Sequence, residues 1–321
     1  MSSNKVLLIG ATGFIGRQAA LRFRRNNYTV YGLARSDEKA VTLLKEELIP
    51  IASNTGSTEY LDQMVELGIH TVIDFSGTPT STHSILDKLE EIVTEEKHAV
   101  NFVYISGIWV HGDSLDAVDE TVKPVESKVA QLVKYRVGLE ERIVGLKDVI
   151  PSIIIRPGIL CGTNSPIWGA LFGQILAAVL QGDTSTISLA LKENLTSGLI
   201  HNEDVAEIIF QAVENFDVAS SKDNKLPIFD IVADNVSFPE LVKKGAKLLG
   251  FKGEISLEGK PSFEENAFLN AFNTSVVTNS KHATEVFGWK PKIPIVDNFE
   301  LLLNTWAVNQ NQDYYTRFIK K

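Results

Sequence analysis

The stretch VLLIGATGFIG, residues 6–16, decides the fold of this chain. An apolar run leads into a turn with three glycines, and the residues after the turn have the pattern of a helix. A strand, a glycine turn and a helix in this order present backbone N–H groups and a helix N-terminus to a pyrophosphate. The stretch therefore predicts a dinucleotide-binding site rather than a purely structural turn. The predicted contact residues are Gly10, Thr12, Gly13, Phe14, Ile15 and Gly16.

The composition is that of a globular protein with 321 residues, of which 44% are apolar and 22% charged. The formal charge of -9 argues against nucleic acid as the main partner. Cys161 is the single cysteine, so an intrachain disulfide is excluded, and the histidines lack metal-ligand spacing. The longest apolar stretch, 167–180, contains glycines and has the length of a buried helix rather than a membrane span. We therefore expect a cytoplasmic protein with no membrane association and no bound metal.

Short segments rich in Val and Ile alternate with helical patterns over the first half of the chain. The predicted strands span 5–9, 29–34, 48–52, 71–75, 102–106 and 152–156. The predicted helices span 14–26, 37–47, 58–67, 81–97 and 125–146. This alternation predicts an α/β fold with a doubly wound parallel sheet of the Rossmann type. Ligands of such sheets bind at the carboxyl ends of the strands, where we look for function.

The second half is less regular and predicts a smaller α/β lobe that binds the substrate. The predicted elements are helices at 167–181, 202–215, 239–249 and 298–310, and a strand at 228–232. We assign 1–165 to the dinucleotide-binding domain, with 199–235 returning to it. The remaining segments, 166–198 and 236–321, are assigned to the substrate lobe.

The end of the second predicted strand bears on the choice of cofactor. The first charged residue there is Arg35, and Ser36 follows it, where an acidic residue would favour NAD by binding the ribose 2′-hydroxyl. A charged hydrogen bond between arginine and phosphate contributes about 1.5–3 kcal/mol. Asp37 and Glu38 come next, where they either repel a phosphate or face solvent. We predict NADP(H) rather than NAD; the alternative is that Arg35 stacks on adenine without a phosphate preference.

The fourth predicted strand ends in small residues that follow an aromatic one. Phe75, Ser76 and Gly77 let the backbone run beside the cofactor. A plain turn is the alternative interpretation of the same three residues.

At this point the chain resembles the extended short-chain dehydrogenase/reductase family, which contains NAD-dependent sugar epimerases and dehydratases. The resemblance spans residues 5–299, and its markers are the segments 10–16, 106–112, 156–162, 199–206 and 287–291. It implies the Rossmann fold and a bound nicotinamide dinucleotide. Pro157, in the third marker, is predicted to contact that cofactor.

Members of this family usually catalyse with a serine after the fifth strand and a Tyr-x-x-x-Lys motif on the next helix. In this chain Gly107 takes the serine position, with Ser106 beside it. Leu132 takes the tyrosine position and Arg136 the lysine position. The resemblance thus identifies an atypical member that lacks the usual acid/base pair, whose positioned acid contributes about 10²–10⁴-fold to the rate.

Three residues are predicted to take over the chemistry of the missing pair. Ser106 can polarise a carbonyl, and Arg136 can bind ribose or diphosphate. His111 lies near the reacting edge, and histidine exchanges protons near neutral pH, although a structural histidine is an equally good interpretation. Tyr135 is on the same helix but one residue away, which turns its side chain by about 100°.

We predict an NAD(P)-dependent oxidoreductase that reduces a small aldehyde or ketone. A non-catalytic NAD(P)-binding redox sensor or scaffold is one alternative, and a sugar-nucleotide epimerase or dehydratase is another. The resemblance also implies a possible homodimer through the helices 81–97 and 125–146. The first of these carries an apolar stripe that core packing explains equally well, formed by Ile85, Leu86, Leu89, Ile92 and Val93.

Overall fold

The computed structural model describes residues 4–53, 56–220 and 226–316; the outermost parts of the predicted domain ranges, 1–3 and 317–321, lie outside them. The strands are β1 Lys5–Ile9, β2 Thr29–Ala34, β3 Ile49–Ala52, β4 Thr71–Asp74, β5 Asn101–Ile105, β6 Ser114–Ala117, β7 Ser152–Pro157, β8 Ile159–Cys161, β9 Ile187–Leu189, β10 Thr196–His201, β11 Ile228–Ile231, β12 Asp234–Ser237, β13 Ile255–Leu257 and β14 Val276–Val277. The α-helices are α1 Phe14–Arg25, α2 Asp37–Leu44, α3 Asp62–Glu66, α4 Pro79–Glu95, α5 Tyr135–Gly145, α6 Pro166–Gln181, α7 Asn202–Glu214, α8 Phe216–Ala219, α9 Phe238–Leu249, α10 Ala267–Phe272, α11 Lys281–Phe287, α12 Ile295–Gln310 and α13 Gln312–Tyr314.

The larger sheet is parallel and has seven strands, in the order β3-β2-β1-β4-β5-β7-β11. Successive side chains of β1 point to opposite faces, and both faces are covered. Val6 and Leu8 belong to the core under α1 and α7, whereas Leu7 and Ile9 belong to the core under α4 and α5. The strand is apolar on both sides because helices pack on both sides. The predicted doubly wound α/β fold is therefore confirmed.

A second sheet, in the order β12-β10-β14-β6 with β8 paired to β10, forms the smaller part of the protein. A separate apolar core lies beside it, built largely by α6, α9 and α12. Strands β6 and β8 pair in this second sheet, although the predicted boundary at residue 165 placed them in the first domain. Strand β11 returns to the large sheet beside β7.

Side-chain caps and glycines define the ends of two helices of the smaller part. The hydroxyl of Ser165 accepts a hydrogen bond from the backbone at the start of α6, and Ser237 does the same for α9. Gly182 and Gly250 end these helices in the left-handed conformation that glycine adopts without strain.

The predicted helix 125–146 is wrong in its first half. The α-helix begins only at Tyr135, and a 3₁₀ turn, Gln131–Val133, precedes it. Val129 and Ala130 turn inward instead and pack against Ala271, a residue of α10. Tertiary packing therefore overrides the helical pattern of this segment.

The apolar stripe on α4 faces the interior of the chain. Ile85, Leu86, Leu89 and Ile92 are at most 1% exposed and belong to the core beneath the large sheet. This placement agrees with the core-packing interpretation of the stripe. A homodimer through α4 and α5 stays a prediction.

Among the helices that the structure describes, none combines the length and the apolar composition needed to cross a membrane.

Candidate functional site

A cavity of about 600 Å³ opens at the carboxyl ends of the parallel strands. Most of the residues predicted from the sequence line it, from the glycine turn and from the ends of β2, β4, β5 and β7. These lining residues are Gly10, Thr12, Gly13, Phe14, Ile15, Gly16, Arg35, Phe75, Ser76, Ser106, Arg136 and Pro157. Within the described residues, Ser36, Gly77 and His111 do not line this cavity.

The glycine turn has the shape of a cradle for an anion. Gly10 has a φ of +96°, and a Cβ on Gly16 would lie 2.1 Å from the Gly10 carbonyl oxygen. Gly13 begins α1 without a side-chain cap, and no acidic residue occupies the first turn of that helix. A helix N-terminus left uncapped by side chains suits a phosphate group, because the helix dipole and the N–H groups both attract negative charge. The turn therefore fits a dinucleotide.

Cations line the cavity at the end of β2. Arg35 and Lys39 both contribute to its wall. Ser36 starts α2 instead, where its hydroxyl accepts a hydrogen bond from the Lys39 N–H at 3.3 Å. Ser36 and Asp37 line a neighbouring cavity of about 410 Å³ that shares Arg35 with the first. Asp37 therefore lines this neighbouring cavity and also lies in the first turn of α2.

Asp74, which sequence reasoning missed, shapes the segment after β4. Its carboxylate accepts hydrogen bonds from the Ser76 N–H and the Thr82 hydroxyl, both at 2.7 Å. Burial raises the pKa of Asp74, and these hydrogen bonds partly oppose that shift. The hydroxyl oxygen of Ser76 is buried without a hydrogen-bond partner. Asp74 therefore holds the backbone beside the cavity and leaves the Ser76 hydroxyl available.

Ser106 follows β5, and Arg136 reaches the neighbouring Gly107. Ser106 is 7% exposed, and its hydroxyl oxygen is buried without a hydrogen-bond partner. The guanidinium of Arg136 passes between Gly77 and Gly107, so that a Cβ on Gly107 would lie 3.1 Å from its Nη1. A side chain at either glycine would crowd this guanidinium. Arg136, which the resemblance assigns to the family's lysine position, thus borders the cavity.

Tyr135 contacts both Gly77 and Arg136 through its hydroxyl. Its hydroxyl donates a hydrogen bond to the Gly77 carbonyl and accepts one of 3.4 Å from Arg136 Nε. The tyrosine does not line the cavity. Leu132 does not line it either; the leucine sits in the 3₁₀ turn before α5 and is 37% exposed.

His111 is placed differently from the catalytic role that we considered. Its side chain is 1% exposed, and Nε2 lies 2.6 Å from a carboxylate oxygen of Asp230. The same oxygen accepts a hydrogen bond from Thr278 at 2.8 Å. The imidazole therefore pairs with a buried carboxylate, and His111 is not among the residues that line the cavity. This geometry corresponds to the structural-histidine alternative.

The carboxylate of Asp230 belongs to a larger buried polar network. Arg156 donates to Glu140 at 2.5 Å, and its other terminal nitrogen lies 3.7 Å from Asp230. Glu120 accepts the Asp230 backbone N–H at 2.6 Å. Burial, and then the charge of Asp230, raise the pKa of Glu120 to about 7. Because Glu140 lies one turn after Arg136 on α5, the network ties the helix that carries Arg136 to the centre of the sheet.

The far end of the cavity comes from residues that sequence reasoning did not single out. Trp109, Ile167 and Phe268 line it, together with Pro166. The position of Trp109, three residues after Ser106 in the marker 106–112, was the available signal. Phe268 carried no local signal, because a short helix far along the chain brings it to the cavity.

Comparison with known proteins agrees with this geometry. Residues 6–116 match the NAD dependent epimerase/dehydratase family. The comparison with curated protein sequences finds no match.

Solved structures with the same fold cover nearly the whole chain. UDP-glucose 4-epimerase from Bifidobacterium longum, in complex with NAD+ and UDP, has a TM-score of 0.71 at 14% identity over 97% of this chain and 99% of that chain. UDP-glucuronic acid 4-epimerase from Bacillus cereus, in complex with UDP-glucuronic acid and NAD, has a TM-score of 0.70 at 16% identity over 95% and 99%. dTDP-glucose 4,6-dehydratase from Bacillus anthracis, in complex with NAD, has a TM-score of 0.69 at 14% identity over 98% and 99%.

At these identities the structures establish the fold and leave the activity open. The family match over residues 6–116 and the shared fold together confirm the resemblance found in the sequence.

Proposed function

We propose that this protein is an NADPH-dependent oxidoreductase that reduces a small aldehyde or ketone. The observation that carries the proposal is that Ser106 and Arg136 line the same cavity as the glycine turn. The Ser106 hydroxyl is buried without a partner, and the Arg136 guanidinium lies against the adjacent Gly107. A hydroxyl left unpaired in a protein interior is costly unless a ligand completes its hydrogen bonds.

The cofactor is assigned to the polar end of the cavity. The turn 10–16 receives the pyrophosphate, and Arg35 with Lys39 supplies positive charge for a 2′-phosphate. Arg136 takes the place on the nicotinamide side that the family gives to lysine. When bound, the reduced nicotinamide supplies a hydride to the carbonyl carbon while the carbonyl oxygen takes up a proton from water, which yields the alcohol and the oxidised dinucleotide.

The roles of the protein groups follow from their chemistry. The Ser106 hydroxyl donates a hydrogen bond to the carbonyl oxygen, and the Arg136 cation stabilises the negative charge that develops there. Within the described residues, no Tyr, His, Asp, Glu or Cys lines the cavity. Water is therefore the proton source in this proposal, since arginine stays charged at neutral pH.

The test measures oxidation of NADPH and of NADH by the purified protein with a panel of aldehydes, ketones and sugars. We expect turnover with NADPH, and a loss of about 10–100-fold in kcat/KM for Ser106→Ala. The exposed Ser127 provides the control variant Ser127→Ala, which we expect to behave like the parent protein. Turnover that does not change in Ser106→Ala would refute the assigned role of this serine.

A non-catalytic NADPH sensor or scaffold is the second candidate. The absence of an ordinary acid or base from the described lining favours it. It predicts tight binding of NADPH without turnover of any carbonyl in the same panel.

A sugar-nucleotide epimerase or dehydratase is the third candidate, and the similar structures with bound NAD favour it. Such chemistry moves protons at the sugar, for which the described lining offers no ordinary acid or base. Mass spectrometry of the purified protein tests this candidate, because it predicts a bound sugar nucleotide.

A further inference from the structure

The cavity changes character beyond Ser106 and Arg136. The wall there is formed by Trp109, Ile159, Pro166, Ile167 and Phe268, all of them apolar or aromatic. Among the described residues that line the cavity there is no Asn, Gln, Asp or Glu. Each polar group that enters such a site without a hydrogen-bond partner costs about 1–3 kcal/mol. This end is therefore unfavourable for a sugar with several hydroxyl groups or for a second diphosphate.

Aromatic rings form one side of this end. Trp109 and Phe268 have ring centroids 6.4 Å apart with an angle of 59° between the rings. Phe272 stands behind both, 6.4 Å from Trp109 and 6.2 Å from Phe268. Phe268 is 38% exposed although it lines a cavity. A ring that packs on this partly exposed face gains the offset or edge-on contacts that aromatic pairs prefer.

Hydrogen-bond donors are scarce at this end and lie close together in sequence. The Ser106 hydroxyl and the Trp109 indole Nε1 are both buried and lack partners. Both can donate to a carbonyl oxygen. The lining thus suits a molecule with one acceptor oxygen on an otherwise apolar, flat body.

From these three observations we infer that the substrate is an aryl aldehyde or aryl ketone, and that Phe268 and Trp109 determine this specificity. The inference rests on the proposed reductase function, because it names the substrate class of the same site. The aromatic ring packs against Trp109 and Phe268, and the carbonyl group lies towards Ser106.

Binding of acetophenone to the full-length protein, with and without NADP+, tests the inference independently of turnover. Saturation-transfer NMR and titration give the dissociation constant, and UDP-glucose serves as the competing probe. We expect acetophenone to bind, and Phe268→Ala to weaken its binding by about tenfold or more through lost apolar contact. Phe268→Leu retains most of the contact area and is expected to recover most of the affinity.

Leu301→Ala is the matched control, since Leu301 is 66% exposed on α12 and does not line the cavity. Trp109→Phe keeps an aromatic ring and removes Nε1, so we expect a smaller loss than in Phe268→Ala. The unfolding temperature of each variant checks that the fold is intact.

The outcomes separate this inference from the proposed function. Acetophenone binding that depends on Phe268, without any turnover, supports an aryl-carbonyl binding site at Trp109 and Phe268 and refutes the reductase proposal. Turnover of aliphatic carbonyls without acetophenone binding refutes the inference and leaves the reductase proposal standing. UDP-glucose binding more tightly than acetophenone also overturns the inference.

Discussion

The two ends of the cavity are built in different ways. The cofactor end comes from one continuous turn, 10–16, with Arg35 and Lys39 beside it, and its shape is set by the backbone. The far end comes from Trp109, Ile167 and Phe268, which separate elements bring together, and its shape is set by side chains. A site that the backbone shapes is constrained by the fold itself. A site that side chains shape can change by substitution without disturbing the sheet.

This difference explains how the chain keeps the fold of epimerases and dehydratases at low identity. The structural matches extend over nearly its whole length at 14–16% identity. The family match covers residues 6–116, which include the glycine turn, whereas Ile167 and Phe268 of the far end lie outside it.

The largest expected effect comes from Gly16→Ala, which disrupts the turn that forms the cofactor end of the cavity. Its Cβ would lie 2.1 Å from the Gly10 carbonyl oxygen, so the turn or the helix must move. We expect NADPH binding, measured by calorimetry, to weaken by about a hundredfold or more. Gly169→Ala is the control, because a Cβ there meets nothing within 4 Å. Unchanged binding in Gly16→Ala would disprove the assignment of this end.

Arg136→Ala tests whether the arginine between the two ends of the cavity contributes to NADPH binding. Removing a cation that contacts an anionic or polar ligand costs about 1.5–3 kcal/mol, which corresponds to about 10–150-fold in affinity. We expect NADPH binding to weaken within this range. Arg142→Ala on the same helix is the control, since Arg142 pairs with Asp87 at the surface. Equal effects of the two variants would contradict a cofactor role for Arg136.

Arg35→Ala tests whether the cofactor end of the cavity prefers NADPH to NADH. If Arg35 binds a 2′-phosphate, affinity for NADPH falls by about tenfold while affinity for NADH changes by less than about twofold. Arg17→Ala is the control, because Arg17 is a surface residue of α1 that pairs with Glu46. Equal losses for both cofactors would support adenine stacking, and with it the use of NAD.

The last prediction concerns stability rather than binding, as a pH dependence in the buried network around Asp230. The raised pKa of Glu120, about 7 against an ordinary 4.5, means that the folded protein binds this proton more tightly than the unfolded chain. The free energy of unfolding that Glu120 contributes therefore falls as pH rises from about 4.5 to about 7, and stays low above that range.

Glu120→Gln keeps an oxygen for the Asp230 N–H and cannot ionise. Relative to the parent protein, we expect the variant to gain about 1–3 kcal/mol in the free energy of unfolding at about pH 8 and little at about pH 5. Urea denaturation across this pH range measures the difference. Glu126→Gln is the control, because Glu126 is 70% exposed. A parallel pH profile for parent and Glu120→Gln would show that Glu120 ionises normally.

Local sequence patterns predicted the sheet and the cofactor end well. The bounds of β1 and β2 agree with the predicted strands, because short apolar runs and glycine turns are properties of short segments. The positions of Arg35 and Ser106 at the cavity followed from the rule that ligands bind at the carboxyl ends of parallel strands, whereas that of Arg136 followed from the family resemblance.

The rest depended on contacts between distant segments. His111 appeared free for catalysis because Asp230, its partner, lies 119 residues further along the chain. The segment 125–134 appeared helical because Ala271, against which it packs, is equally remote. Phe268 was missed for the same reason. Such tertiary pairings leave no periodicity in a single sequence.

The buried position of Glu120 also affects the heat of unfolding. Near about pH 6 the folded protein holds a proton on Glu120 that the unfolded chain releases to the buffer. Imidazole takes up protons with more release of heat than phosphate does. Scanning calorimetry in imidazole will therefore record a smaller unfolding enthalpy for this protein than in phosphate, and the difference will shrink in Glu120→Gln.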